Sequence, residues 1–241
     1  MPVDSVVYSW PDFYKIFLGS IVKIILLGPP GAGKGTQAEL LRDRLNIPHI
    51  ATGDMLRDAI RRGDAFGKSI QATIDSGHFA PDADMIRLVK ERISQPDCKD
   101  GFILDGFPRT PAQAQALEKA GVDLDFVVQI TVPDEVIVAR LAGRRVHPGS
   151  GRIYHVISHP PKHAGLDNET GEPLIMRPDD NPDTVRERLR VYHRDTEPMV
   201  HQYKIKQNGM HFVVVDGTKN EEEVFEEIRE QILPKQKQSR M

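Results

Sequence analysis

The sequence predicts an α/β fold of three layers, in which helices flank a central parallel sheet and a small lid is inserted. Short apolar runs are typical of strands buried in a parallel sheet. Such runs occur at residues 22–27, 101–104, 126–130 and 212–215. Helical patterns lie between them, and this alternation places ligands at the carboxyl ends of the strands.

Two helices can be placed from the spacing of their apolar residues. Ile86, Val89 and Ile93 follow the helix-start sequence Pro-Asp-Ala-Asp at 81–84. A longer amphipathic helix is predicted over residues 185–203, and Pro198 is expected to kink it. Its buried stripe would consist of Val185, Leu189, Tyr192, Thr196, Met199 and Tyr203.

Residues 143–180 interrupt the alternation. They lack a helical pattern and are rich in glycine, proline, histidine and aspartate, and about forty such residues in a compact domain typically form a lid. Residues 1–21 precede the first predicted strand and form an expected N-terminal extension. Lys15 and Lys23 interrupt its apolar run, which is too short to span a bilayer, so we expect no membrane anchor.

The composition excludes several classes of protein. Charged residues make up 28% and hydrophobic residues 39% of the chain, which is typical of a globular protein rather than a disordered one. The formal net charge of -3 argues against nucleic acid as the main partner. Cys98 is the single cysteine, which excludes an internal disulfide and favours a reducing, cytoplasmic compartment. We expect it to be a partly buried, unreactive thiol.

Residues 28–36 form a glycine-rich loop directly after the first predicted strand, and a helix is predicted to follow it. Glycines let several backbone N–H groups turn toward one anion, to which the helix N-terminus and Lys34 add positive charge. The sequence therefore predicts a P-loop fold that binds a nucleoside triphosphate. The contacting residues would be Gly31, Ala32, Gly33, Lys34, Gly35 and Thr36. Gly35 stands where the strict motif has Ser or Thr, which weakens the case for direct magnesium binding by Thr36.

The phosphate loop alone does not name a reaction, because GTPases, motor ATPases and small-molecule kinases share it. A guanine reader of the form Asn-Lys-x-Asp is excluded, since the chain contains no Asn-Lys pair. Two further motifs discriminate, Thr-Gly-Asp-Met-Leu-Arg at 52–57 and Asp-Gly-Phe-Pro-Arg-Thr at 105–110. At these motifs the chain resembles the adenylate kinase family in its long-lid, bacterial-like form, and the resemblance runs from about residue 22 to residue 233.

The resemblance implies a core at 22–241 into which an AMP-binding segment (51–80) and the lid (143–180) are inserted. Arg57 and Arg109 would hold the AMP phosphate, because a planar guanidinium binds phosphate oxygens bidentately, and Gln113 would read the adenine. The full set of AMP-binding residues would be Thr52, Arg57, His78, Phe79, Ala80, Gly106, Arg109, Gln113, Arg177 and Arg188.

Further positions are implied to bind ATP and to catalyse the transfer. The additional ATP-binding residues are Arg140, Arg144, Tyr154 and Lys219. The catalytic residues would be Lys34, Arg109, Arg144, Arg177 and Arg188. ATP and AMP together carry about six negative charges, and fixed cations are needed to oppose their repulsion. Arg145 either joins these cations or pairs with a lid carboxylate.

Mg²⁺ is the implied cofactor, and the nucleotide and water molecules would hold it. Asp105 would contact the ion through one of these waters. Alternatively, Asp105 only caps the following turn. Some long-lid relatives hold their lid together with four cysteine-type zinc ligands. The matching positions here are His147, Ser150, Asp167 and Thr170, and hydroxyl groups are poor zinc ligands. We therefore expect a hydrogen-bonded cluster and no structural zinc.

The implied reaction is reversible phosphoryl transfer from Mg-ATP to AMP, which gives two ADP by direct in-line attack under a closing lid and maintains adenine nucleotide balance. The partners would be ATP, AMP and ADP, and a monomer is expected. Two alternatives stay open. One is a related enzyme that uses GTP as the donor; the other is a non-catalytic nucleotide-binding module, which would need only the phosphate loop.

Overall fold

The computed structural model describes residues 21–205 and 209–232. The N-terminal extension predicted at 1–21 therefore lies outside the described residues, except for Ile21. Within these two ranges, no helix is both long and apolar enough to cross a membrane.

Strands and helices alternate along most of the described chain. The strands are β1 (Val22–Leu27), β2 (His49–Ala51), β3 (Gly101–Asp105), β4 (Phe126–Thr131), β5 (Arg144–Val146), β6 (Ile153–His155) and β7 (His211–Asp216). The α-helices are α1 (Lys34–Leu45), α2 (Thr52–Arg62), α3 (Ala65–Asp75), α4 (Asp82–Ile93), α5 (Pro111–Lys119), α6 (Asp134–Gly143), α7 (Pro182–Val191), α8 (Glu197–Ile205) and α9 (Glu221–Ile232). Short 3₁₀ turns lie at Pro96–Cys98 and Pro178–Asp180, and a π-helical turn lies at Tyr192–Thr196.

Five strands form one parallel sheet in the order β2-β3-β1-β4-β7, which confirms the predicted fold class. β1 is central, since Val22 pairs with Gly101 of β3 and Ile24 pairs with Phe126 of β4. All four apolar runs predicted to be strands are strands. β2 was not predicted, because it is three residues long and only Ile50 in it is buried.

Alternate residues of β1 face opposite sides of the sheet. Ile24 and Leu26 pack in a core formed with α1, α6, α7 and α9, whereas Ile25 and Leu27 pack with α2, α3, α4, α5 and α8. All four side chains are at most 2% exposed. A strand covered on both faces is apolar where it is covered, which explains why residues 24–27 of β1 show no polar alternation; Lys23, near the start of the strand, is only partly buried.

The helix predicted over 185–203 is formed by α7, the π-helical turn and α8 in succession. The irregularity precedes Pro198 rather than lying at it, because the N–H of Glu197 donates to the carbonyl of Tyr192. Pro198 then falls in the first turn of α8, where its missing N–H costs no helical hydrogen bond. The predicted stripe is buried at Val185, Leu189, Tyr192, Thr196 and Met199 and half-buried at Tyr203.

The segment between α6 and the 3₁₀ turn at Pro178–Asp180 is fully described and contains no α-helix. β5 and β6 pair antiparallel within it, and Val146 also forms a bridge with Ile175. We call residues 144–177 the lid segment.

Cys98 lies in the 3₁₀ turn before β3 and is 5% exposed. Its Sγ lies 3.1 Å from Nη1 of Arg92. Burial raises the pKa of the thiol even though Arg92 lowers it, so the side chain is a protonated, buried thiol, as predicted.

Candidate nucleotide-binding site

A cavity of about 720 Å³ opens at the carboxyl ends of β1, β2 and β3. Its walls are formed by the phosphate loop, α2, residues 77–79, residues 105–109 and parts of the lid segment. The cationic side chains that line it are Lys34, Arg57, Arg109, Arg144, Arg152, Arg177 and Arg188. This concentration of positive charge predicts a polyanionic ligand.

The phosphate loop has a backbone shape that side chains would disturb. Gly28 has a φ of 145°, and a Cβ atom there would lie 2.4 Å from the carbonyl oxygen of Ile130. Gly33 caps the start of α1 with a φ of 95°. Lys34 extends back over the loop, where its Nζ donates to the carbonyls of Gly28 at 2.9 Å and Pro29 at 2.8 Å.

The pKa of Lys34 is lowered to about 8. Burial is the main cause; Asp105 opposes it, and the positive charges of Arg109, Arg188 and Arg144 add to it. An anionic phosphate in the cavity would favour the ammonium form, because it supplies the opposite charge that burial has removed.

The cavity arginines are perturbed in the same way. Burial, with repulsion from Arg188 and Arg57, lowers the pKa of Arg109 to about 10. Burial, with repulsion from Arg57 and Arg144, lowers the pKa of Arg177 to about 9, and the Nε of Arg177 has no hydrogen-bond partner in the described part of the chain. Both guanidinium groups stay protonated at neutral pH, so the cavity holds several positive charges that an anion would neutralise.

Two aspartates that the sequence analysis missed orient two of these arginines. The Asp180 side chain is fully buried and accepts two hydrogen bonds from Arg144, one of them from Nε at 2.7 Å. Asp179 Oδ2 lies 2.7 Å from Nη1 of Arg188. Although burial raises the pKa of Asp179, the charges of Arg188 and Arg144 lower it overall. In the sequence, the only indication of a role for Asp179 and Asp180 is that they follow shortly after Arg177.

The structure brings together residues of the two motifs at one end of the cavity. The buried hydroxyl of Thr52 donates to the carbonyl of Gly106 at 2.9 Å. Arg109 Nε donates to the same carbonyl at 2.6 Å, and its guanidinium lies 5.0 Å from the centre of the Phe79 ring, which is within range of a cation–π interaction.

Arg57 and Arg177 approach each other at Asp54, which the sequence analysis did not single out. Arg57 donates to Asp54 across one turn of α2. Nη2 of Arg177 lies 4.0 Å from the same carboxylate. Asp54 therefore joins α2 to the end of the lid segment.

Gln113 lies in the first turn of α5, is 1% exposed and does not line the cavity. Its Oε1 accepts from the backbone N–H of Arg109 at 2.8 Å. Its Nε2 donates to Asp82 Oδ1 at 2.7 Å. The amide is thus already engaged on both of its polar atoms.

The remaining predicted residues divide into two groups. Those that line the cavity are Gly31, Gly35, Thr36, His78 and Tyr154. Those that do not are Ala32, Gly33, Ala80, Arg140 and Lys219. Lys219 instead donates to Glu227 at 2.8 Å on the surface.

Asp105 ends β3 and lines the cavity. Its Oδ2 lies 3.5 Å from Nε2 of His49, another residue that the sequence analysis did not single out. Burial raises the pKa of Asp105, but the interaction with His49 and the charge of Lys34 outweigh burial and lower it. A partly buried, ionised carboxylate beside the phosphate loop fits a hydrated magnesium ion.

Hydrogen bonds join the four lid positions that the sequence predicted to form a cluster. His147 Nδ1 lies 2.8 Å from Ser150 Oγ, and the Thr170 hydroxyl donates to Asp167 Oδ2 at 3.0 Å. Thr170 Oγ1 lies 3.4 Å from His147 Nε2, which also contacts Glu172 Oε2 at 2.6 Å. The predicted hydrogen-bonded cluster is therefore present, with Glu172 as an additional member.

Asp167 is the centre of this cluster. Arg152 Nε donates to its Oδ1 at 2.8 Å, and the Tyr154 hydroxyl donates to the same oxygen at 2.9 Å. The hydrogen bonds from Arg152 hold the pKa of Asp167 well below its usual range. Tyr154 is only 4% exposed, so its hydroxyl serves the lid and not the cavity.

Arg145 in the lid segment and Arg61 on α2 both donate hydrogen bonds to backbone carbonyls. Arg145 Nη1 donates to the carbonyls of Ala142 and Arg144. Among the described residues it therefore neither lines the cavity with the other cations nor pairs with a lid carboxylate, so both predicted alternatives are corrected. Arg61, on α2, donates to the carbonyl of Pro148 in the lid segment at 2.8 Å.

A protein-family model described as adenylate kinase matches residues 26–208. The match covers more than half of the chain, and it includes the end of β1, the phosphate loop, both discriminating motifs and the lid segment. Members of the family transfer phosphoryl groups between nucleotides, with ATP and AMP as substrates. The chain therefore belongs to the adenylate kinase family and is a nucleoside monophosphate kinase.

Proposed function

We propose that this enzyme transfers the γ-phosphoryl group of Mg-ATP directly to AMP and gives two ADP. The observation that carries the proposal is the convergence of Lys34, Arg109, Arg144, Arg177 and Arg188 on one cavity. A single nucleotide does not require so many cations, whereas a donor and an acceptor phosphate that meet in one cavity do.

The phosphate loop forms the donor end of the cavity. Backbone N–H groups at 31–36 and the Lys34 ammonium would bind the β- and γ-phosphates. Arg144, which Asp180 holds in place, would contact the transferred group. Arg140 and Lys219 form no part of this proposal, because neither lines the cavity.

The acceptor end lies between α2 and residues 105–109. Arg57 and Arg109 would hold the AMP phosphate, and Arg177 and Arg188 would lie between the two phosphates. Residues 77–79 and Gly106, which line the cavity, would form the wall around the adenine, with Thr52 and Ala80 supporting it from behind. The buried amide of Gln113 would be reached past Phe79 when the AMP-binding segment moves. Asp105 would bind a water molecule of the magnesium shell, and the ion would neutralise charge on the donor phosphates.

In the transfer step, an oxygen of the AMP phosphate attacks the γ-phosphorus. A new P–O bond forms to AMP as the bond between the γ-phosphorus and the β–γ bridging oxygen breaks, and ADP leaves. The attacking oxygen is already anionic, so no side chain has to remove a proton. Positioning and charge stabilisation by Lys34 and the arginines therefore carry the catalysis.

Water would compete with AMP as the nucleophile, so the site should be complete only when the lid segment and the AMP-binding segment are both closed. The hydrogen bond from Arg61 to Pro148 supports a direct contact between these two segments. We further propose that the enzyme is a monomer, that it acts in the cytoplasm and that its lid holds no zinc.

A coupled assay tests the reaction. With Mg-ATP present, ADP should form only when AMP is added, and two ADP should appear for each AMP consumed. ADP formation without AMP would indicate an ATPase, and binding without turnover would indicate a non-catalytic module. Replacing ATP by GTP in the same assay measures the donor preference.

Lys34→Met should lower turnover by about two to three orders of magnitude, because it removes a cation that faces the transferred group. In the wild-type protein the Lys34 pKa is about 8, and bound phosphate would raise it. ATP affinity should therefore be full below about pH 8 and decline as the pH rises beyond it. Calorimetric titration across this range should show a flatter profile for Lys34→Met. Near-normal turnover of a folded Lys34→Met variant would refute this role.

Arg61→Met keeps the aliphatic stem but loses the hydrogen bond to Pro148, so it should weaken closure. The measurement is the affinity for a non-hydrolysable ATP analogue with and without AMP. The ratio of these two affinities should be about two- to tenfold smaller in Arg61→Met than in the wild-type protein. Arg62→Met is the matched control, because Arg62 bonds only to Asp64 in the same segment among its described contacts. If AMP raises the affinity for the ATP analogue by the same factor in both variants, the hydrogen bond from Arg61 to Pro148 has no role in closure.

Metal analysis tests the zinc-free lid. The purified protein should contain less than stoichiometric zinc, and a chelator should leave its melting temperature unchanged, because hydrogen bonds around Asp167 replace metal ligands. One zinc per chain, lost together with thermal stability on chelation, would overturn this expectation.

A further inference from the structure

Asp82, the first residue of α4, is tied to the start of α5 through both of its carboxylate oxygens. Its Oδ1 accepts from Nε2 of Gln113 at 2.7 Å, and its Oδ2 accepts from the hydroxyl of Thr110 at 3.0 Å. Thr110 in turn caps α5 by accepting from the backbone N–H of Gln113 at 3.2 Å. The position of the Asp82 carboxylate relative to Gln113 is thus fixed from two directions.

The Gln113 amide can take only one of its two orientations here. A carboxylate only accepts hydrogen bonds and a backbone N–H only donates them. Nε2 must therefore face Asp82, and Oε1 must face the N–H of Arg109. The inverted amide would set its oxygen against a carboxylate and its NH₂ group against an N–H, in a site where the residue is 1% exposed and water cannot compensate.

Within residues 21–205 and 209–232, each polar atom of the fixed amide makes one hydrogen bond, which leaves one further position on each atom. A carboxamide has two N–H donors and two acceptor lone pairs, and the structure uses one of each. The remaining donor is therefore always on Nε2 and the remaining acceptor always on Oε1, and the two cannot exchange places. Adenine presents the acceptor N1 beside the N6 amino donor, whereas hypoxanthine presents the N1–H donor beside the O6 acceptor. An amide that could invert would accept both orders.

We propose that Asp82 is a specificity-determining positioning residue that locks the Gln113 amide, so that the acceptor site takes a 6-aminopurine and rejects a 6-oxopurine. The inference rests on the proposed function, in which Gln113 reads the base of AMP. Asp82 itself does not line the cavity. It raises the energy of the inverted orientation of the Gln113 amide, because that orientation would place Oε1 against the Asp82 carboxylate. The backbone N–H of Arg109 disfavours the same orientation from the other side.

Asp82→Asn tests this inference, because the substituted side chain is nearly isosteric and can face Gln113 with either an oxygen or an NH₂ group. IMP is the probe, since it differs from AMP at the two positions that the amide would read. The ratio of kcat/KM for AMP to kcat/KM for IMP should fall about tenfold, as expected for losing one charge-assisted hydrogen bond in a buried site. The KM for ATP should not change.

Asp84→Asn is the matched control. Asp84 also lies in the first turn of α4, so its loss has the same effect on the helix dipole, but its carboxylate bonds to Arg87 on the surface. The AMP-to-IMP ratio should stay at the wild-type value in this variant. Both substrates are measured on one preparation, so a reduced folded fraction cancels from the ratio.

Two further variants keep the outcome decisive. Gln113→Ala should abolish most of the discrimination, and Asp82→Glu, which keeps an acceptor-only group, should retain more of it than Asp82→Asn. If Asp82→Asn slows AMP and IMP equally, Asp82 has only a structural role and the proposal is wrong. If Gln113→Ala keeps the wild-type ratio, the amide does not read the base and the proposal is also wrong, while AMP-dependent ADP formation would leave the proposed reaction intact.

Discussion

The crowding of several partly buried cations in one cavity is the constraint on which the rest of the site depends. Two unit charges 4 Å apart repel by about 4 kcal/mol at an effective dielectric constant of about 20. Lys34, Arg109 and Arg177 all have lowered pKa values, with burial as the main cause. Asp179 and Asp180 hold Arg188 and Arg144 in place but do not neutralise the whole set. Burial and mutual repulsion both disfavour the charged forms in the free protein, and a bound anion would offset both effects.

The parallel sheet allows such a cluster to form. Its strands end at one edge, so Lys34 after β1 and Asp105 at the end of β3 line the same cavity there. Thr52, after β2, lies beside them and donates to the carbonyl of Asp105 at 3.1 Å. β1 can occupy the centre of the sheet because both of its faces are covered by apolar side chains. The buried sheet thus supplies a rigid edge on which charges are held close together.

Polar networks around this edge set the direction of individual side chains. Asp167 gathers hydrogen bonds from Arg152, Tyr154 and Thr170 and so keeps the lid segment compact. Asp82 and the Arg109 N–H fix Gln113 in the same manner. In both places a carboxylate accepts hydrogen bonds from the side chains of more than one residue, which is the condition under which a polar network specifies one arrangement.

Local patterns in the sequence predicted the fold class and the phosphate loop, and the family resemblance at the two discriminating motifs indicated the four positions of the lid cluster. The sequence did not predict β2, which is too short to show a pattern, or the π-helical turn before Pro198. Packing of the folded chain placed Asp54, Asp82, Asp179 and Asp180 beside the arginines and Gln113, and it placed Arg140 and Lys219 away from the cavity. The sequence does not show which residue a carboxylate or a cation will pair with, because the pairing depends on how elements that are distant in the chain pack together.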